Sequence, residues 1–152
     1  MIVVKLGHFC NISTNLHKVW DTDMIHIRLK NFNNDSGIYF QYLLKQLHTT
    51  YAQNISDWAT CKTPDESTYL ACSTAWIEED AQINCASAYI DENGDRLTKK
   101  TKFNMCDKYQ NTRKLIVEQR ILQGAVRLAT VLNKIAQSSD ENGTYRLNRC
   151  FN

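Results

Sequence analysis

Leu16, Val19, Trp20, Met24 and Ile27 follow one another at spacings of three, one, four and three, which places them on one face of a helix. Ser13, Thr14 and Asn15 stand just before them as candidate N-caps, because a short polar side chain there satisfies a free backbone N–H. Asn31 to Ser36 is a polar turn, and Gly37 opens a second helix on which Tyr39, Leu43, Leu47 and Thr50 share a face. Pro64, the only proline, precedes Asp65, a good N-cap for a third helix running to about Glu78. Residues 80–108 are polar and turn-rich, with Asn93-Gly94 as the clearest turn. From Thr112 to Gln137 the last helix carries an apolar stripe of Ile121, Ala125, Leu128, Leu132 and Ile135. Arg120, Arg127 and Lys134 recur every seven residues on another of its faces. Ile2 to Leu6 is a short β-branched run that reads as a strand or an extended entry segment. The pattern predicts a mainly α fold with a short N-terminal strand, one long loop and a polar tail holding Cys150.

Composition narrows this picture. A chain of 152 residues fits one domain and can bury a real core. Its apolar runs are far shorter than the roughly 20 residues that span a bilayer. The net charge of only +2 gives no sign of a surface built to coat phosphates, but a small cationic cleft on a neutral body still leaves room for a nucleic-acid enzyme. The six cysteines (Cys10, Cys61, Cys72, Cys85, Cys106, Cys150) show none of the short spacings of a zinc ribbon or a redox motif, which favours disulfides and an oxidising compartment. Glycosylation triplets begin at Asn11, Asn34, Asn54 and Asn142 and agree with a secreted protein. The opening Met1-Ile2-Val3-Val4-Lys5 is too short for a signal peptide. A chain suited to export without that signal suggests that Met1 is an internal methionine.

His17 and Asp21 lie four apart on the first predicted helix, so both project from one face. An imidazole nitrogen and a carboxylate at that spacing can grip one zinc ion and leave positions for a third ligand and water. Such a pair also arises readily by chance, and nothing nearby supplies the third ligand. His8, His26 and His48 stand alone and read as surface or hydrogen-bonded residues. Asp91-Glu92-Asn93-Gly94-Asp95 is spaced wrongly for a calcium loop, with Lys102 at the place of the closing Glu, and reads as a turn. No serine or cysteine lies in a nucleophile motif, and no glycine-rich phosphate loop exists. The Arg120, Arg127 and Lys134 stripe reads as a solvated helix face.

The context of His17 adds more. Asn15-Leu16-His17-Lys18-Val19-Trp20-Asp21 resembles the Asn-Leu-His-x-Val-Trp-Asp signature of the zinc-dependent class I nucleases of the S-one/P-one type. Further blocks follow in the family's order. Trp58 and Cys61 resemble its Ser-Trp-x-x-Cys segment, and Glu66-Ser67, Leu70-Ala71-Cys72 and Ala75-Trp76 resemble the helix after it. Tyr109, Arg113, Val117-Glu118 and Gln123 through Ala129, ending at Leu132-Asn133-Lys134-Ile135, are similar to its closing helix. The resemblance implies an all-helical fold like that of bacterial phospholipase C, with three zinc ions at the base of a cleft. His17 and Asp21 would be two of the protein ligands of one zinc. The implied activity is hydrolysis of phosphodiester bonds in RNA and single-stranded DNA to five-prime phosphates. Trp20 would pack the helix and not stack on bases.

Departures from the family carry their own expectations. Most of the family's zinc ligands precede its Gly-Gly-Asn segment and have no counterpart here, so residues 1–152 are expected to be the C-terminal portion of a nuclease domain, inactive alone. The alternative is a secreted, non-catalytic helical binding module that kept the scaffold; a lipid phosphodiesterase on the same scaffold fits the closing helix less well. Leu115 stands where the family often has proline. The family's counterpart of Cys72 pairs with a cysteine in the absent portion, so Cys72 is expected to be unpaired. The stretch from Ile77 to Lys108 is longer than usual and gains Cys85 and Cys106, which are expected to pair with each other across the Asn93-Gly94 turn.

Overall fold

The computed structural model describes residues 6–60, 69–98 and 102–141. Ile2, Cys61, Pro64, Asp65, Asn142 and Cys150, on which several expectations fell, lie outside the described residues. The fold is mainly α with a small sheet at its start. Strands β1 (Leu6–Phe9) and β2 (Ile12–Asn15) pair antiparallel. Cys10 and Asn11 form the two-residue turn with φ of 50° and 65°, the positive values that match the twist of a tight hairpin. Strand β3 (Phe103–Met105) lies parallel to β1 on its other edge. Alternation puts Phe9, Phe103 and Met105 inward and leaves His8 and Asn104 on the outer face. Gly7 is required by this pairing, because a Cβ there would collide with the Phe103 carbonyl and ring.

Helix α1 spans residues 16–32 and changes pitch along its length. Leu16–Lys18 is α-helical, Val19–Asp23 is a π turn, Met24–Leu29 is again α-helical and Lys30–Phe32 tightens to 3-10 before Asn33 turns left-handed at φ 56°. Helix α2 (Ser36–His48) starts where the Asp35 carboxylate accepts hydrogen bonds from the Gly37 and Ile38 N–H groups at 2.7 and 3.1 Å. A 3-10 turn at Ala52–Asn54 leads into the short α3 (Ile55–Ala59). Helix α4 (Tyr69–Ile83) runs on through a π turn at Asn84–Ala88, and α5 (Asp107–Glu141) closes the described fold. One core cluster lies between the sheet, α1 and α5, around Phe9, Val19, Met24 and Tyr109. A second, around Tyr39, Leu43, Trp58 and Leu122, joins α2 and α3 to α5.

Several expectations are corrected. Helix α4 and its π turn continue ten residues past Glu78, so most of the first half of the expected loop is helical. Glu79 and Asp80 looked like loop residues, but they face α5 and pair with its arginines. The final helix begins at Asp107 and not Thr112, which lets Tyr109 and Gln110 be buried. Its core face is not the aliphatic stripe: Leu128, Leu132 and Ile135 are 60%, 56% and 51% exposed. Tyr109, Val117 and Leu122 are buried instead, together with three polar residues that find partners. Gln110 donates to the Met24 carbonyl at 3.0 Å, Glu118 accepts from Arg28 at 2.6 Å, and Gln123 donates to Glu79 at 2.9 Å. Arg120 and Arg127 are accordingly not a solvated face; both are ion-paired to α4.

The expected Cys85–Cys106 disulfide is also overturned. Cys106 is bonded to Cys10, 96 residues away, and Cys85 is free and exposed. The sheet decides this. The Cys10 N–H donates to the Met105 carbonyl at 2.9 Å, continuing the β1–β3 ladder and setting the two Cα atoms 4.5 Å apart. Cys85 belongs to the π turn at the end of α4 and has no place in that ladder. Cys72, expected to be unpaired, is disulfide-bonded as well. The Asp91–Asp95 segment is a turn, as read. Asp91 Oδ1 accepts from the N–H groups of Asn93 and Asp95, and Gly94 takes φ 93°.

Candidate metal centre

Helix α1 positions the His17–Asp21 pair. Its start is fixed by Asn15, whose side chain accepts from the Lys18 N–H at 2.9 Å. On the inner face Val19 and Met24 are fully buried, which locks the helix about its axis. His17 and Asp21 therefore face outward, with Nε2 and Oδ2 2.9 Å apart and side chains 80% and 56% exposed. Asp21 lies inside the π turn, closed by the Met24 N–H donating to the Val19 carbonyl. Single π turns widen a helix locally and cluster where side chains must be re-aimed.

Trp20 ties this turn to the core. Its Nε1–H donates to the Tyr109 hydroxyl at 2.8 Å, and the two rings meet edge to face. That hydroxyl in turn donates to the Ala88 carbonyl at 2.9 Å, so one buried phenol links α1, the end of α4 and α5. Burial pushes the Tyr109 hydroxyl up to about 12, outweighing the opposite pull of the Trp20 hydrogen bond and the Arg113 charge, so it stays a donor. Arg113 lies over the Tyr109 ring at 5.0 Å and reaches the Ser87 and Ile90 carbonyls. Trp20 is thus a packing residue in this arrangement.

Asp23, two residues beyond Asp21, is already engaged: its carboxylate accepts from Thr14 at 2.9 Å and pairs with the Lys18 ammonium. His17 and Asp21 line one wall of a cleft of about 970 Å³ that opens between α1, α4 and α5. Leu16, Ile25, Val117 and Ile121 line it with apolar surface, and Asp80, Asn84, Tyr89 and Arg120 add its polar wall. Arg120 is paired with Asp80 at 2.6 Å and Glu79 at 2.9 Å, so its charge is largely answered within the protein. Sequence reasoning missed Asp80, Asn84 and Tyr89 as cleft residues. Only the docking of α4 on α5 brings them opposite α1, and no local spacing announces it.

The donor chemistry of His17 and Asp21, one imidazole nitrogen and one carboxylate oxygen converging at the surface, suits a zinc ion with open coordination positions. Among the described residues the only closely grouped trio of possible ligands is Cys10, Cys106 and Asp107, whose sulfurs are consumed by the disulfide. His8, His26 and His48 are exposed on β1, α1 and α2 respectively. Asn11, Asn34 and Asn54 are all exposed, the first two in left-handed turns. No helix among the described residues is long and apolar enough to cross a membrane.

The family model described as S1/P1 Nuclease matches residues 4–137. Endonuclease 2 of Arabidopsis thaliana is 33% identical over 132 residues, 84% of this chain and 40% of that protein. Endonuclease 4 of the same plant is 31% identical over 130 residues, and Endonuclease 3 is 29% identical over 129, covering 85% and 84% of this chain. The chain thus spans about two-fifths of the length of these relatives. With the match extending from β1 through nearly all of α5 and including the His17–Asp21 turn, the chain belongs to the S1/P1 nuclease family.

Proposed function

We propose that His17 and Asp21 are two of the ligands of one zinc ion in a nuclease that cleaves RNA and single-stranded DNA to five-prime phosphates. The observation that carries this reading is the outward pair itself, Nε2 and Oδ2 converging at 2.9 Å on a helical turn anchored by Val19, Trp20 and Met24. When bound, zinc clamps phosphate oxygens and turns water into a nucleophile near neutral pH. The protein's part is to hold the two donors apart from competing carboxylates. Asp23 is drawn off by Thr14 and Lys18, and the Trp20–Tyr109 bond fixes the turn on which Asp21 sits. Residues 1–152 would then supply the C-terminal portion of a nuclease domain, with the remaining ligands carried elsewhere. The disulfides and the exposed Asn11, Asn34 and Asn54 support a glycosylated, secretory-route protein, with Asn142 as a fourth candidate.

Two donors bind zinc weakly. Calorimetry on this chain should accordingly show weak zinc binding that Asp21→Ala removes, and zinc should elicit no cleavage of single-stranded DNA above background. Tight binding indifferent to Asp21→Ala would point to another site and overturn the assignment. The catalytic reading is tested by replacing the matching two-fifths of Endonuclease 2 with this chain. Zinc-dependent cleavage by the chimera, lost in His17→Ala, is the expected result. A folded, zinc-loaded chimera without activity would instead favour a non-catalytic binding module built on the nuclease scaffold.

A further inference from the structure

Cys10, Cys106 and Asp107 each offer one ligand atom, and the three atoms lie within 4.8 Å of one another. Both cysteines are half-buried and Asp107 is exposed, so small solutes can reach the group. Asp107 Oδ1 stands 3.3 Å from Cys106 Sγ. In the oxidised chain the two sulfurs are bonded to each other, and it is the thiolate that binds metal. Reduction restores two thiolates beside a carboxylate. That is a zinc donor set, with the fourth tetrahedral position left to water.

Backbone pairing places these donors. The Cys10 N–H donates to the Met105 carbonyl at 2.9 Å, and the Cys106 carbonyl accepts from the Gln110 N–H at 2.8 Å. The first bond extends the β1–β3 ladder and the second fixes Cys106 at the head of α5. Together they set the two Cα atoms 4.5 Å apart. Zinc with Zn–S bonds of about 2.3 Å needs its two sulfurs about 3.8 Å apart, which rotation of the side chains supplies from that backbone. Three registered pairs make a short ladder, so an ion bound across it contributes directly to folding. Cys85, the free thiol among the described residues, lies on the π turn of α4 and is not part of the trio.

We propose that the reduced chain binds one zinc ion at Cys10, Cys106 and Asp107, and that oxidation of the two cysteines to the disulfide releases it. The exchange balances. The two zinc-bound thiolates give two electrons to a low-molecular-weight disulfide, the Cys10–Cys106 bond forms, the donor leaves as two thiolates, and the zinc ion is set free. Before oxidation the ion spans the same 96 residues that the disulfide closes afterwards, and it holds both sulfurs away from Cys85. The site shares no ligand with the His17–Asp21 pair, and the inference does not rest on that pair's role.

Cobalt(II) is the probe, because thiolate-to-cobalt charge transfer absorbs in the near ultraviolet and carboxylate or imidazole ligation does not. The full chain is reduced with a phosphine, freed of reductant without air, and titrated with cobalt(II). A charge-transfer band saturating at one ion per chain is expected, displaced by zinc and lost on adding glutathione disulfide. Cys10→Ser, Cys106→Ser and Asp107→Asn should each weaken cobalt binding at least tenfold. Cys72→Ser, Cys85→Ser and His17→Ala should leave it unchanged, and the oxidised chain should show no band. Alkylation gives a second readout that holds even where a variant folds poorly. In the reduced wild type, zinc should slow the reaction of Cys10 and Cys106 with iodoacetamide at least tenfold and leave Cys85 as reactive as before. Absence of the band, a band indifferent to Cys10→Ser and Asp107→Asn, or zinc protection of Cys85 in place of Cys10 and Cys106 would overturn the proposal.

Discussion

Tyr109 does more for the candidate centre than its distance in sequence from His17 and Asp21 suggests. It is fully buried, accepts from the partly buried Trp20 indole and donates to the buried Ala88 carbonyl, so its one hydroxyl satisfies both groups. Removing it leaves the buried Ala88 carbonyl unpaired, at a cost of about 1–3 kcal/mol, and frees a partly buried indole N–H that borders the cleft. Tyr109→Phe keeps the ring packing against Phe9 and Arg113 and deletes only these bonds. Chemical denaturation should show the variant less stable by about 2 kcal/mol, the middle of that range. The weak zinc affinity proposed for His17 and Asp21 should fall with it, because Trp20 no longer fixes the turn that carries Asp21. A variant as stable as the wild type would show that the phenol merely fills space.

At the scale of elements, legibility tracked the range of the interaction. The helical face of Leu16, Val19 and Met24 was readable because those residues meet the core through local periodicity, and all three are buried. The turn after Asn31 and, to within a residue, the start of α2 were readable from the polar run before Gly37, although the cap itself is Asp35. What failed was α5. Counting aliphatic positions selected Ile121, Leu128 and Leu132, whereas the helix buries Gln110, Glu118 and Gln123, whose partners Met24, Arg28 and Glu79 lie 86, 90 and 44 residues away. A polar side chain looks like surface until its distant partner is known. The seam between α4 and α5 has the same origin and a pH signature. Burial alone would raise the Glu79 carboxyl, but hydrogen bonds from Arg127 and Gln123 and the charge of Arg120 hold it below its ordinary value of 4.5. A depressed carboxylate stabilises the fold above its unfolded pKa, and that stability is lost as pH falls through the folded one. With 37% of its side chain exposed, screening limits the effect to about 1 kcal/mol or less. Stability measured as pH falls from about 5.5 to well below 4.5 should therefore drop less steeply in Glu79→Gln than in the wild type. Identical profiles would mean the seam is too well solvated to matter.

For the whole molecule, the decisive long-range link is one that cysteine spacing could not reveal. A local pairing of Cys85 with Cys106 would staple a loop; the bond to Cys10 instead ties the first hairpin to the strand that precedes the last long helix. Everything from α1 to the turn at Gly94 lies between the two bonded sulfurs, including the helix that carries His17 and Asp21. The parallel β1–β3 pairing has only three registered residue pairs, too short a ladder to hold the ends of so large a loop by hydrogen bonds alone. The covalent bond does it by restricting the unfolded chain. For a loop of 96 residues the chain-entropy model gives about 4–5 kcal/mol, close to the total stability of many small domains. The double variant Cys10→Ser, Cys106→Ser should accordingly lose about 4 kcal/mol by denaturant titration, while Cys85→Ser, at an exposed free thiol, should lose almost nothing. Peptide mapping without reductant gives the complementary readout: Cys10 and Cys106 peptides linked to each other, and Cys85 open to alkylation in the folded chain. A Cys85–Cys106 peptide, or a double variant as stable as the wild type, would mean that the small sheet does not hold the two ends as described.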